Sequence, residues 1–357
     1  MSSPQSANMN DPVDATALCS KNASVSIVVE WENTAHVEQS RTRAMLRALS
    51  EQVRGEIDQQ NRKVQLIVGY DPQDALDDSI RNMIHQECSN VLQDVAFTLI
   101  AVPGATYYVL KNAAARKATG DLIVFVDCDV MPQAGWLQNI LKPFNDNTIG
   151  VSQGATFVEP TNLLNTAFAL AWLFPLKKRN GELSEENKVV ANNIAFRRTV
   201  ILTYPYPDLM TWRGQCTAQR LTLDKSGIGV FWCNSARTIH PFPAGFMAVV
   251  ERAFLNGHDH ITRYEMSGGS RGDWKATYWR WRSLLRRARA RRKKMMGDLS
   301  LSKADGIVCD LVAMFYWSCA LSSECMVHIA PKAWRKLLRQ LPQPEAYSHS
   351  NDTESMS

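Results

Sequence analysis

Short apolar runs alternate with longer segments of helical spacing through the first third of the chain. Apolar runs at 25–30, 64–69, 96–102 and 122–126 are typical of buried strands, and helix-forming segments occupy 34–59, 75–86 and 109–118. Strands that alternate with helices predict a parallel sheet covered by helices on both faces. The sequence therefore predicts an α/β fold for this part of the chain.

Two aspartates separated by one residue follow the fourth apolar run. Asp127 and Asp129 flank Cys128 directly after 122–126. Side chains two residues apart in a strand point to the same face, so extended geometry through Asp129 would bring both carboxylates to one site. Paired carboxylates suit a hard divalent cation, Mg²⁺ or Mn²⁺, shared with phosphates. We therefore predict a metal-dependent phosphate site at this strand end.

Acidic residues also end the first two predicted strands. Glu30 and Glu32 follow the first strand, and Asp71 follows the second. Ligands of open α/β sheets bind beyond the carboxyl ends of the strands. These side chains and the aspartate pair are thus predicted to line one nucleotide site.

The segment 104–141 carries a recognisable order of residues around this pair. Asn112 lies in an alanine-rich helix predicted to end at a C-cap Gly120, and Pro132 and Gly135-Trp136-Leu137 follow Asp129. This order resembles the central signature of family 2 glycosyltransferases, and the resemblance extends over about residues 24–243. It implies the GT-A fold, whose mostly parallel nucleotide-binding sheet is flanked by helices, together with a nucleotide-sugar donor and a divalent cation.

The resemblance also implies roles for particular residues. The metal is assigned to Asp127, Asp129 and His240, the nucleotide-sugar to Glu30, Glu32, Asp71, Lys111, Asn112 and Asp127, and the acceptor side to Asn192, Asn193 and Arg213. Most of these residues have alternative readings: Glu30 and Glu32 also fit a solvated loop, Asp127 and Asp129 an N-cap pair before the next helix, and Arg213 a surface arginine. His240 also fits a loop residue without a ligand, Lys111 a solvated helix residue, and Asn112 a support for a neighbouring loop.

The catalytic base is the main departure from the family pattern. Family members that invert the anomeric centre usually carry an acidic pair at the start of a later helix, where this chain has Gln215-Cys216. Glutamine cannot accept the proton, and a thiol suits the task poorly. Asp208 and Cys216 are the weak candidates that remain, and Cys216 also fits a small buried residue. The alternatives are a base elsewhere, a different reaction, or an inactive GT-A scaffold in an envelope-polysaccharide assembly.

Charge is concentrated near the carboxyl terminus. Residues 280–294 contain nine Lys and Arg and no acid, and without these cations the net charge of +5 becomes −4. A basic block on a mildly acidic protein favours an anionic surface as the partner over nucleic acid. Its aromatic neighbours, from Trp274 to Trp281, favour the interface of an anionic membrane.

A mostly apolar segment, 307–330, follows the basic block. Asp310, Glu324 and His328 interrupt it, so it fits a buried amphipathic helix or an interfacial helix better than a membrane span. The eight cysteines are scattered, as expected of reduced thiols, and no apolar signal region begins the chain.

The predicted division of the chain is a disordered leader at 1–22, a GT-A domain at 23–260, a helical basic extension at 261–345 and a disordered tail at 346–357. The sequence as a whole predicts an inverting glycosyltransferase that acts on a lipid-linked or polysaccharide acceptor. Its expected location is cytoplasmic and peripheral to the membrane.

Overall fold

The computed structural model describes residues 23–172, 174–184, 189–209, 212, 214–243 and 245–339. Eight strands form one sheet: β1 Val25–Glu30, β2 Val64–Tyr70, β3 Ala96–Ala101, β4 Leu122–Asp127, β5 Met131–Pro132, β6 Val151–Phe157, β7 Asn193–Arg197 and β8 Val230–Ile239. The helices are α1 Gln39–Gln60, α2 Asp77–Glu87, α3 Tyr107–Lys117, α4 Trp136–Leu141, α5 Leu163–Ala171, α6 Arg198–Thr203, α7 Gln215–Lys225, α8 Gly245–Met266, α9 Trp274–Met295, α10 Lys303–Ile329 and α11 Pro331–Arg339. The predicted leader and tail lie outside the described residues.

The sheet has a parallel half and a mixed half. Its strand order is β3-β2-β1-β4-β7-β6-β8-β5. Strands β1 to β4 are parallel to their neighbours within this set, whereas β7 is antiparallel to both β4 and β6. The predicted parallel sheet is therefore right for the first half, and the mixed pairing begins where the strong alternation of strands and helices ends.

Both faces of the central strands are buried, and the two faces pack against different helices. In β4, Val124 and Val126 belong to a core shared with α1, α2 and α4, whereas Ile123 and Phe125 belong to a core shared with α3, α6 and α7. Side chains alternate between faces along a strand, so one continuous apolar run supplies both cores.

The glycine predicted to cap α3 has a different role. The helix ends at Lys117, and Ala118 takes the cap position in an extended conformation. Gly120 instead lies against the backbone of β1, where an added Cβ would come within 2.5 Å of the Ser26 nitrogen and 2.7 Å of the Val25 carbonyl carbon. Close approach of two backbones, not a left-handed cap, requires glycine here.

The helices α8 to α10 pack with α5 around a third core. That core contains Phe168, Trp172, Tyr316 and Trp317, so it includes residues from both sides of the predicted boundary at residue 260. The boundary itself falls inside α8, and the helical layer begins with that helix. The helical region therefore begins at Gly245, before the predicted bound at residue 261, and the division of the chain into domains otherwise stays a prediction.

Several cations of the basic block have partners inside the protein. Arg291 donates to the carbonyls of Ala169 at 3.0 Å and Trp172 at 2.5 Å, and Arg292 forms an ion pair with Asp310 at 2.9 Å. Arg280 forms an ion pair with the buried Glu324. The block that the sequence assigns to an anionic partner is thus partly structural.

Replacing Gly120 tests the close approach of the segment between α3 and β4 to the backbone of β1. Gly120→Ala should lower the free energy of unfolding by about 1–3 kcal/mol, because the new methyl group overpacks a buried backbone contact. Gly229→Ala is the control, since its Cβ would meet nothing within 4 Å. Both are measured by urea denaturation, and equal stability of the two variants would contradict the packing argument.

Candidate active site

The carboxyl ends of β1 and β4 bring Glu30 and Asp127 side by side. The two residues are partners in the register of these parallel strands. Strand β4 ends at Asp127, and the Val130 amide then donates to the Asp127 carbonyl at 3.2 Å across a turn. The extended geometry predicted to continue through Asp129 therefore stops two residues early. Asp129 nevertheless stays close enough for the charge of Asp127 to raise its pKa.

Three donors hold the Asp127 carboxylate. It accepts from the Lys111 ammonium at 2.7 Å, from the Tyr107 hydroxyl at 2.9 Å and from the side-chain amide of Asn33 at 3.3 Å. Lys111 is fully buried, and its ammonium also lies 4.5 Å from the centre of the Tyr107 ring. A solvated Lys111 is therefore excluded. The contact that the structure places is an ion pair with Asp127, and a direct contact of Lys111 with a diphosphate stays a prediction.

Asp129 has one carboxylate oxygen that no donor from the described residues reaches. This buried atom is Oδ1, whereas the backbone carbonyl of Asp129 accepts from Arg41 Nε at 2.6 Å. Burial, together with the charge of Asp127, raises the pKa of Asp129 to about 7, and the cations Arg41 and Arg252 oppose that shift. A buried, unsatisfied carboxylate oxygen is costly unless a cation completes it. The residues present therefore fit a divalent cation bound through Asp129.

Glu30 is buried behind this pair, so the alternative of a solvated loop residue is wrong for it. Its Oε1 accepts from the backbone amide of Asn33 at 3.4 Å. Burial and the neighbouring charge of Asp127 raise the pKa of Glu30 well above its ordinary value. Its predicted contact with a nucleotide remains a prediction.

The remaining acidic residues of the predicted nucleotide site occupy strand ends or the turns after them. Glu32 begins a short 3₁₀ helix after β1. Asp71 is buried just beyond β2, and its Oδ1 accepts from the Gln73 amide at 2.9 Å. Both lie at the predicted edge of the sheet, and their contacts with a nucleotide stay predictions.

His240 directly follows β8. Its Nδ1 lies 2.6 Å from the Pro241 carbonyl oxygen, and its ring packs 4.4 Å from that of Phe174 and 5.2 Å from that of Trp172. Arg41 connects this strand end to the aspartate turn, because its Nη2 donates to the Ile239 carbonyl at 2.8 Å. Within the described ranges no three His, Cys, Asp or Glu side chains gather around one metal position. The assignment of His240 as a third metal ligand therefore stays a prediction.

The asparagines of the predicted site have mainly structural contacts. Asn112 donates to the Tyr206 carbonyl at 2.7 Å and accepts from the Tyr206 amide at 3.1 Å, so it supports the loop after α6. Asn193 is fully buried and connects Trp136 Nε1, at 2.8 Å, with the Ala236 carbonyl, at 3.0 Å. The acceptor-side role of Asn193 is therefore wrong, because its amide is committed to the core.

The other predicted acceptor-side residues differ in how far they are defined. Asn192 is buried, and its Oδ1 accepts from the Thr156 hydroxyl at 3.0 Å. Arg213 lies outside the described residues.

The two candidate bases lie in different environments. The Cys216 thiol, in the first turn of α7, accepts from the Tyr108 hydroxyl at 3.5 Å, and burial raises its pKa. A half-buried thiol that resists ionisation fits a packing role and argues against Cys216 as the base. Asp208 is exposed, two residues beyond the backbone that Asn112 holds.

Sequence reasoning missed three residues of the site. Tyr107 was identifiable in principle, because it precedes Lys111 by four residues and a helix presents both on one face. Arg41 comes from α1 and Arg252 from α8, more than a hundred residues beyond Asp129. Nothing in the local sequence of either arginine connects it to the aspartate pair.

Comparison with known proteins identifies the class. Residues 38–203 match the model of the family described as Glycosyl transferase family 2. The matched region includes Asp127 and Asp129 and ends before α7. The family 2 resemblance is confirmed over residues 38–203, and this match supports a transferase of the glycosyltransferase kind. A search of curated proteins found no match.

Solved structures agree in fold. A mannosyltransferase from Pyrobaculum calidifontis, in complex with GDP-Man and Mn²⁺, is 16% identical, with 91% of this chain and 92% of that chain covered and a TM-score of 0.52. Glucosyl-3-phosphoglycerate synthase from M. tuberculosis is 13% identical, with 70% of this chain and 82% of that chain covered and a TM-score of 0.45. The first likeness confirms the predicted GT-A fold.

The raised pKa of Asp129 predicts that the free energy of unfolding of the metal-free protein depends on pH. Since the pKa is about 7 in the folded state against an ordinary 3.8, the folded protein retains a proton that the unfolded chain releases between these values. Folding stability therefore falls as the pH rises through this window, by on the order of 2–4 kcal/mol. Asp129→Asn should remove this loss.

Urea denaturation in EDTA measures the effect at about pH 4 and at pH 8. The stability of the variant relative to the unmodified protein should increase between the two pH values, and Mn²⁺ at pH 8 should stabilise only the unmodified protein. A constant difference would show that Asp129 ionises normally in the fold.

Proposed function

We propose that this glycosyltransferase moves a sugar from a nucleotide-sugar to a lipid-linked or polysaccharide acceptor, with a divalent cation and with inversion at the anomeric carbon. The observation that carries the proposal is the unsatisfied buried oxygen of Asp129 beside the charged Asp127, at the carboxyl edge of the sheet. The mannosyltransferase of similar fold was solved with a nucleotide-sugar and Mn²⁺, which supports a donor and a cation of the same kinds here.

The cation, Mg²⁺ or Mn²⁺, would supply charge compensation for the departing nucleoside diphosphate. Asp129 is proposed to hold it. Lys111, Tyr107 and Asn33 donate to the Asp127 carboxylate and fix its position at the same edge of the sheet. Arg41 positions the turn that carries Asp129 through its bond to the Asp129 carbonyl.

Asp208 is the base that we propose. Asn112 binds the backbone of Tyr206, and the charge of Asp127 contributes to the raised pKa of the Tyr206 hydroxyl, so the chain just before Asp208 passes close to the aspartate pair. The Asp208 carboxylate would take the proton of the acceptor hydroxyl. The acceptor oxygen then bonds to the anomeric carbon as the bond to the diphosphate breaks, which inverts that centre.

The aromatic and basic helix α9 supports a location at the cytoplasmic face of a membrane, to which the protein would bind peripherally. It contains ten Lys and Arg and no acid. Such helices bind anionic lipid headgroups.

Calorimetric titration of UDP, GDP and their sugar conjugates, with and without Mn²⁺, tests the donor site. Binding should require the metal and should fall at least tenfold in Asp129→Asn, because the variant loses one carboxylate ligand. Asp78→Asn, an exposed aspartate on α2, is the control and should bind as the unmodified protein does. Metal-independent binding, or none by a folded sample, would contradict the proposed donor site.

The base is tested by turnover with the identified donor. Asp208→Asn should lower kcat by about 10²–10⁴-fold and leave donor affinity unchanged, because a general base acts only on the acceptor proton. Cys216→Ser is the matched comparison and should retain most activity. Full activity of Asp208→Asn would overturn the assignment, and partition of the product between organic and aqueous phases separates lipid from polysaccharide acceptors.

A further inference from the structure

Large apolar side chains are exposed on one side of the helical layer. At the start of α8, Phe246 is 65% exposed and Met247 is 68% exposed, and on α10 Ile307 is 64% and Leu311 is 55% exposed. The Phe246 ring stacks on that of Phe315 with 5.4 Å between centroids, so the two helices form one continuous surface. We call this surface the apolar face; it consists of Phe246, Met247, Ile307, Leu311, Met314 and Phe315.

The opposite side of α10 is buried in the protein. Tyr316, Trp317 and Ala320 pack in the third core, and buried Glu324 pairs with His260 at 2.8 Å and with Arg280. Among the described helices, α10 is the one with the length and composition of a membrane span. Its polar, protein-covered side is incompatible with lipid all around it, whereas its exposed side remains apolar.

Helix α9 places cations beside this face. Arg292 and Arg289 lie 2.9 Å and 3.8 Å from Asp310, which directly precedes Leu311 on α10. Arg282, Arg286, Arg287, Lys293 and Lys294 are exposed and form no ion pair within the described part of the chain. The surface thus combines aliphatic and aromatic side chains with uncompensated positive charge.

We propose that the apolar face docks on an anionic lipid bilayer. Its side chains would enter the boundary between headgroups and acyl chains, while the free cations of α9 contact anionic headgroups. Charge complementarity favours this occupant over a second copy of the chain, because a symmetric pairing through this face would bring two cationic helices together.

The face also lies near the end of β8, which borders the site. Phe246 follows His240 by six residues, and between them Phe242 packs 6.4 Å from Phe168 and from Trp172, whose ring also contacts His240. Docking would therefore bring the end of β8 close to the bilayer. Resting on the proposed function, this placement selects a lipid-linked acceptor over a soluble polysaccharide.

Co-sedimentation of the full chain with vesicles tests the docking face. Vesicles of phosphatidylcholine with about one third phosphatidylglycerol should bind the unmodified protein. Phe246→Gln/Ile307→Gln/Leu311→Gln should weaken that binding at least tenfold, because the inserted apolar area is lost. Leu76→Gln/Leu202→Gln/Leu221→Gln, three exposed leucines outside the apolar face, is the matched control and should bind normally.

The contribution of the α9 cations to docking is tested with a second variant and its own control. Arg282→Gln/Arg286→Gln/Lys293→Gln/Lys294→Gln should also lose at least tenfold in affinity for these vesicles, while replacement of the exposed Lys63, Arg116, Lys117 and Lys142 by glutamine should change it little. These variants leave the internally paired Arg280, Arg291 and Arg292 intact.

Two results would overturn the inference. One is unchanged vesicle binding by both test variants. The other is a dimer of the unmodified protein, seen by light scattering, that the apolar-face variant dissociates without any effect of lipid. Metal-dependent nucleotide binding is measured on the same samples. A sample that binds the nucleotide is folded and has an intact donor site, so a loss of vesicle binding in that sample concerns docking alone. The docking proposal can therefore fail while the proposed function holds.

Discussion

The site depends on how three acidic side chains coexist at one buried sheet edge. Glu30 ends β1, Asp127 ends β4 and Asp129 follows it, and the fully buried Lys111 forms an ion pair with Asp127. Burying an ion pair costs desolvation, and removing one partner would leave a charge without compensation. Burial and the charge of Asp127 together raise the pKa values of Glu30 and Asp129, so the electrostatics of the three side chains are linked.

The helical layer is part of the same structure. The Arg291 guanidinium donates to the carbonyls of Ala169, Trp172 and Phe174, where α5 ends and its orphan carbonyls need partners. Trp172 in turn contacts His240, and Arg252 of α8 lies 4.9 Å from the centre of the Trp172 ring. The helices after the sheet therefore hold the aromatic wall of the site.

Local patterns account for the strands and for the position of the aspartate pair. The apolar runs predict β1, β2 and β4 to within a residue, because strands buried on both faces leave an unambiguous signal. The same patterns do not reveal partners from distant elements. Gly120 fits a helix cap equally well in the sequence, and its contact with β1 exists only after the sheet forms. In the sequence, Asn193 is indistinguishable from an asparagine that binds a ligand. Its burial against Trp136 depends on the pairing of three strands.

The basic block shows the same limit in terms of charge. A sequence counts all its cations alike, whereas the fold divides them into two groups with different free-energy consequences. Arg280 and Arg292 pair with carboxylates inside the protein, so their charge is neutralised locally, and the Arg291 guanidinium is committed to backbone carbonyls. Arg282, Arg286 and Lys293 remain on the surface, where each contributes to the potential within a Debye length of the protein. Attraction to an anionic surface therefore scales mainly with the second group.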